Sequence, residues 1–296
     1  MKRNVMMLAV LLVVAGSASA QQVTLKQDWA PGDYVMTVDN RMDNVIVTPD
    51  GREMPAKMEM HLVQQVTVAD LPGGQKSMRI QAKEIRSSMQ TPMGPMSFDS
   101  TDPAPQNPMM RQTFDTMLKS AIEVIYADGQ IVEVRGVEKL GGPGSPGKEI
   151  YNQEHLVEII KPSYLPSGPV SVGSTWTSTQ DMPLGAMGLG KLTYQNTLKE
   201  IRQTPQGQVA VLDVTGTMTN DPARPGMAKN VNYTVKATLL HDFQHNHQQQ
   251  NESLMSGEME LSEPGSTETM RMKQTVKNTV VFTTGQYQAP TPTQPQ

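Results

Sequence analysis

A chain of 296 residues with a formal net charge of −4 and no cysteine can bury one large or two smaller cores. It has no disulfide and no thiol nucleophile, and no basic excess to hold nucleic acid or an anionic membrane. Methionine is abundant and aromatics are few, with Met 23, Phe 4, Tyr 7 and Trp 2, so burial rests on Met, Val, Leu and Ile, and Met packs adaptably because its thioether chain is flexible and polarizable.

The first twenty residues read as a leader. Lys2 and Arg3 form a basic start, Val5 to Val14 an apolar core, and Ala18-Ser19-Ala20 a small-residue cleavage site. The apolar run is about half the roughly twenty residues a membrane-spanning helix needs. The expected product is a mature chain from Gln21 with no transmembrane segment, exported to the periplasm or the extracellular medium. Losing Lys2 and Arg3 makes it more acidic still.

Val23 to Trp29 suits a short first strand, and Pro31-Gly32 turns the chain. Tyr34, Met36 and Val38 then alternate with polar residues, the period of a half-buried strand. Pro49-Asp50-Gly51 is a turn. The return strand carries Met58, Met60, Leu62, Val66 and Val68, a row broken only by Gln64. Pro72-Gly73-Gly74 turns again into Met78, Ile80 and Ala82. Thr91 to Pro108, rich in Pro and Met, reads as an irregular loop. Asn107-Pro108 starts a helix to Lys119, with Met110, Phe114, Met117 and Leu118 on one stripe. Ile122–Tyr126 and Ile131–Val134 flank Asp128-Gly129, a type I′ hairpin signal.

Residues 21–140 thus form an N-terminal β lobe. The Gly/Pro-rich run Gly141 to Gly147 opens a linker over residues 141–165, which includes a helix from Lys148 to Lys161 ended by Pro162. Leu165 to Thr177, LPSGPVSVGSTWT, repeats the Pro/Gly-to-strand pattern of Trp29 to Thr37, WAPGDYVMT, and leads into a C-terminal β lobe over residues 166–285. Its alternating rows include Leu192, Tyr194 and Leu198, then Val231, Tyr233, Val235, Ala237 and Leu239. Residues 286–296, rich in Pro and Gln, have the composition of a disordered tail. The expected fold is mainly β: two related curved antiparallel sheets, half-barrel-like, with two short helices.

Pro31 to Tyr34, the Asp128-Gly129 hairpin closed by Val134-x-Gly136, and Pro169 to Trp176 together resemble a group of uncharacterised secreted bacterial proteins with a domain of unknown function. The resemblance implies an exported all-β scaffold and transfers no catalytic residue. In pattern alone, the chain is also similar to periplasmic lipoprotein carriers, where a curved sheet wraps apolar cargo against a helix; that is analogy at the level of fold.

Few residues point to chemistry. His241, His245 and His247 are the metal candidates: on a strand, His245 and His247 share a face and imidazole is a common ligand for Zn or Cu, although an exposed polar hairpin tip over Gln244 to Glu252 explains the same composition. Met89, Met93 and Met96, with Met109 and Met110, form a Met-rich loop whose thioethers suit Cu(I). Pairs such as Met58/Met60 and Met270/Met272 have strand spacing and suit a sheet face, which gives an adaptable apolar groove for a lipid, a peptide or a protein partner. No Gly-x-Ser-x-Gly, His-Glu-x-x-His or phosphate loop is present. His155 beside Glu154 and Glu158, and the pair Glu258/Glu260, read as solvated faces. The reading is an exported, non-enzymatic binding or scaffold protein that needs no cofactor. Metal binding is the first alternative, and an unrecognised hydrolase the second.

Overall fold

The computed structural model describes residues 22–91, 94–102, 104, 108–140, 151, 153–183, 188–204, 207–221, 226–242, 245–262 and 268–289. The expected leader, residues 141–150 of the linker and residues 290–296 of the tail lie outside these residues.

The chain is mainly β and its strands pair antiparallel. After a two-residue β1 (Gln22–Val23) come β2 (Gly32–Val47), β3 (Glu53–Asp70), β4 (Lys76–Thr91), β5 (Gly94–Asp99), β6 (Ala121–Ala127) and β7 (Gln130–Arg135). The second half supplies β8 (Val170–Ser171), β9 (Thr175–Pro183), β10 (Leu189–Thr204), β11 (Gly207–Asn220), β12 (Ala228–Asp242), β13 (His247–Leu261) and β14 (Met270–Thr284). The main sheet has 12 strands in the order β7-β6-β4-β3-β2-β14-β13-β12-β11-β10-β9, with β5 also beside β4. Strands β2 and β14 pair from Tyr34–Thr284 to Val47–Arg271, so the two ribbons expected from the sequence meet edge to edge in one sheet. Among the described residues β7 and β9 do not pair, and the sheet is not closed into a barrel. Register shifts at Val63/Gln64, Ile125/Tyr126, Leu198/Glu200, Lys229/Asn232 and Leu240/His241 are bulges that bend and twist their strands.

The turns follow their residues. Asp128 and Gly129 take φ of 51° and 72°, the left-handed pair a type I′ hairpin requires. The stretch read as an irregular loop from Thr91 differs: β5 folds back on β4, with Met96 opposite Met89. Pro95 masked this strand in the sequence, yet proline is tolerated where a strand lies at a sheet margin. The expected strand over Val23–Trp29 shrinks to Gln22–Val23. The rest is a strap whose bonds leave the ladder: Asp28 N donates to the Asn246 carbonyl at 2.7 Å.

One face of the sheet is apolar. On it Tyr34, Met36, Leu62, Val66, Met78, Ile80, Ile122 and Val124 are buried beneath α1 (Pro108–Lys119) and α2 (Gln153–Ile160). Helix α1 has the expected bounds and inserts Phe114, whose ring lies 4.9 Å from Phe98. Within the described residues α2 is shorter than the helix expected from Lys148, and buries Leu156 and Ile160. A carbonyl near its C-terminus, that of Ile159, accepts from the indole of Trp29 at 3.2 Å and from Gln27 Nε2 at 3.1 Å, which satisfies a group the helix leaves open. Gln64, the break in its row, is 1% exposed and donates to the Tyr151 hydroxyl. In the second half Leu25 and Tyr164 pack on Leu198, Leu212 and Leu239.

Two glycines let tyrosine rings lie across neighbouring strands. Gly216 faces Tyr194 and Gly257 faces Tyr233. A Cβ at Gly257 would stand 2.1 Å from the Asn232 carbonyl oxygen and 2.8 Å from the Tyr233 ring. Gly257→Ala is therefore expected to destabilise the fold by about 1–3 kcal/mol, the range for overpacking. Gly168→Ala, with nothing within 4 Å of its Cβ position, should lie within about 0.5 kcal/mol of the parent. Urea unfolding of both variants checks this, and equal midpoints would contradict it.

Candidate functional site: a methionine row on the apolar face

The register aligns methionines from separate strands. Met96 lies opposite Met89, Met89 opposite Met58, Met58 opposite Met42, Met42 opposite Val276 and Val276 opposite Met255. Directly opposed residues hold their Cβ atoms about 4.5–5.5 Å apart, so this is one rung of apolar side chains across six strands, roughly 24 Å at about 4.8 Å per strand. All six side chains are half-buried. Met42, Met58, Met89 and Met96 belong to none of the three buried cores, nor do their neighbours Met54 and Met60. They form an apolar strip that the fold leaves partly uncovered. Polar atoms edge it: Gln274 Nε2 donates to the Met42 sulfur at 3.4 Å, and Asn44 Oδ1, on the same face, is buried without a hydrogen-bond partner among the described residues.

Sequence spacing grouped these residues differently. The Met-rich loop divides: Met89 and Met96 join the row, while Met110 packs on the core under α1. Met93 and the side chain of Met109 lie outside the described residues. Met42 and Met58 carried no sign of their partnership, because strand pairing is not a local property.

His241, His245 and His247 come together at the β12–β13 hairpin, but two of them are not on an exposed tip. His241 is 0% exposed and His247 is 2% exposed, because the strap closes over them. The Trp29 ring stacks on His247 at 4.7 Å, and Tyr34 meets the same ring edge-on at 5.2 Å. His245 is more open and its Nδ1 lies 2.9 Å from Asp242 Oδ2. Among the described residues no group of three or more His, Asp or Glu side chains is arranged to hold a metal ion.

Burial pushes the His241 imidazole down to about 4, against the opposing pull of the Lys26 carbonyl, and the neighbouring His247 adds to the lowering. His247 is also lowered, chiefly by burial. The folded chain thus binds these protons more weakly than the unfolded chain, so stability is complete above about pH 6.5 and falls as pH drops towards 4. His241 alone accounts for at most about 3 kcal/mol of that loss. The urea midpoint should fall between pH 6.5 and 5, above the range of ordinary carboxylates, and His241→Leu should flatten the slope. A parent midpoint that does not move across this window would refute the assignment.

The opposite face is polar. Asp39, Arg41, Glu59, His61, Arg86 and Asp99 border a hollow of about 820 Å³, whose walls also include Met60 and Met96. His61 Nδ1 lies 2.7 Å from Asp39 Oδ1, and Arg86 pairs with Glu84. Residues 286–289, expected to be part of a disordered tail, run over this face. Gln286 Nε2 donates to Asp33 at 3.0 Å, Tyr287 N donates to Gln65 Oε1 at 2.7 Å, and the Tyr287 hydroxyl donates to the buried Glu84 at 3.2 Å. Most of the ion pairs are solvent-exposed and contribute little stability each.

Fold and row together define an open antiparallel β protein with a partly uncovered apolar face. Residues 73–142, which span β4 to β7 and α1, match the profile of a family of unknown function (DUF6263). No curated protein matches the chain. Among solved structures it is similar to lipovitellin, studied for its lipid–protein interactions, at a TM-score of 0.49 and 9% identity over 89% of this chain and 27% of that one. The chain thus spans about a quarter of that protein's length. A DUF1329 family protein from Desulfovibrio piger gives a TM-score of 0.12 at 8% identity, over 83% and 84% of the two chains. The outer membrane protein opdK from Pseudomonas aeruginosa gives 0.17 at 6%, over 87% and 100%.

Proposed function

We propose that the mature protein is exported and binds an apolar or amphipathic chain along the methionine row, without catalysing a reaction. The observation behind this reading is the unbroken rung Met96–Met89–Met58–Met42–Val276–Met255, half-buried and largely outside the cores. Thioether side chains adapt to ligands of varied shape, and a row of roughly 24 Å matches the length of an extended lipid chain. The expected leader over residues 1–20 supports export, to the periplasm or beyond the cell.

Native mass spectrometry of the protein from its producing cells, with titration of a fluorescent fatty acid, tests the reading. Met42→Gln with Met58→Gln should weaken binding about tenfold or more. Each half-buried Met contributes about 1 kcal/mol, below the value for full burial. Unfolding midpoints should stay close to the parent, because neither residue belongs to a core. Unchanged affinity in the double variant would refute the row as the site.

The same row supports a second reading. Thioethers on adjacent strands are soft ligands, and Met-only sets suit Cu(I). Competition with a Cu(I) chelator separates the two readings: copper uptake lost in the double variant, with fatty acid binding absent, favours the metal. If export holds, the N-terminus of protein recovered outside the cytoplasm should be Gln21; a retained Met1 would refute the leader.

A further inference from the structure

A second hollow, of about 770 Å³, opens at the other end of the strands from the methionine row. It lies between the strap, the β6–β7 turn and the segment that follows α2. Its apolar walls include Leu25, Pro162 and Leu165. Lys26, Lys76 and Lys161 border it, with Asp28 and Asp128. Lys76 is already engaged: its ammonium pairs with Asp28 and donates to the Trp29 carbonyl at 2.8 Å. The exposed ammonium groups of Lys26 and Lys161 have no carboxylate partner among the described residues. The Lys161 stem crosses Gly129 so closely that a Cβ there would lie 3.2 Å from Lys161 Cδ. The hollow is of a size that takes small molecules.

We propose that this hollow binds an oxyanion, a carboxylate or phosphate group, with Lys26 and Lys161 balancing its charge and the Leu25–Leu165 walls taking any apolar part of the ligand. Three lysines against the carboxylates of Asp28 and Asp128, with Asp28 already paired to Lys76, leave a net positive wall that favours an anion over a cation or a neutral ligand. The site is separate from the methionine row and stands or falls independently of it.

Calorimetric titration of the full mature chain with decanoate, decanol and inorganic phosphate tests the proposal. Decanoate or phosphate should bind, and Lys26→Glu with Lys161→Glu should weaken that binding at least tenfold. Decanoate bound much more tightly than phosphate assigns the site to an amphiphile; equal affinities assign it to the free oxyanion. Failure of both anions to bind, affinity unchanged by the double charge reversal, or loss of decanoate binding in Met42→Gln/Met58→Gln alone would overturn it.

Discussion

The ladder between β2 and β14 holds the first long strand of the chain against the last. Its register runs unbroken from Tyr34–Thr284 to Val47–Arg271. The partners are more than two hundred residues apart in sequence, so the pairing bears a large ordering cost before it returns any contact. Either half alone would present a long, flat, unpaired edge at this position, which invites aggregation. The pairing removes both edges and carries the methionine row from Met42 onto Val276, so the continuity of the candidate site depends on the same backbone bonds that unite the sheet.

One-sided burial follows from that arrangement. Because side chains alternate across a strand, a single sheet offers one apolar and one polar face, and the apolar face must be covered. Helices α1 and α2 cover it near Tyr34, Ile80 and Ile122, and the segment around Tyr164 covers it near Leu198 and Leu212. The stretch crossed by Met42, Met58 and Met89 lies beyond these covers. Flexible, weakly polar methionine tolerates partial hydration better than a packed branched core would, and it adapts when something settles on it.

The strap fastens the two halves a second time. Trp29 donates to α2 through its indole, stacks on His247 of β13 and lies 5.1 Å from the Tyr34 ring on β2. Three elements distant in sequence therefore share one aromatic side chain. The burial of His241 and His247 is a consequence of this contact, and it makes the corner sensitive to protonation. The resulting geometry is that of packed rings rather than of converging ligands.

Much of the strand pattern was legible in the residues. Alternation marked β2, β3 and β12, Asp128-Gly129 marked its hairpin, and Asn107-Pro108 with its apolar stripe marked α1, because these signals act over a few neighbouring residues. Strand β5 was hidden by Pro95. The buried state of His241 and His247 was hidden too, since polar composition is read as exposure when the covering segment lies far away in sequence. The grouping of methionines by nearness along the chain missed Met42 and Met58 for the same reason. Sequence alone determined which residues alternate, where the chain turns, and that one side of each strand is apolar, because those depend on local backbone geometry and side-chain period. Tertiary structure decided that two ribbons make one sheet, that methionines from five strands share a rung, and which part of the apolar face stays partly uncovered, because register and cover are set by contacts between residues that the chain keeps far apart.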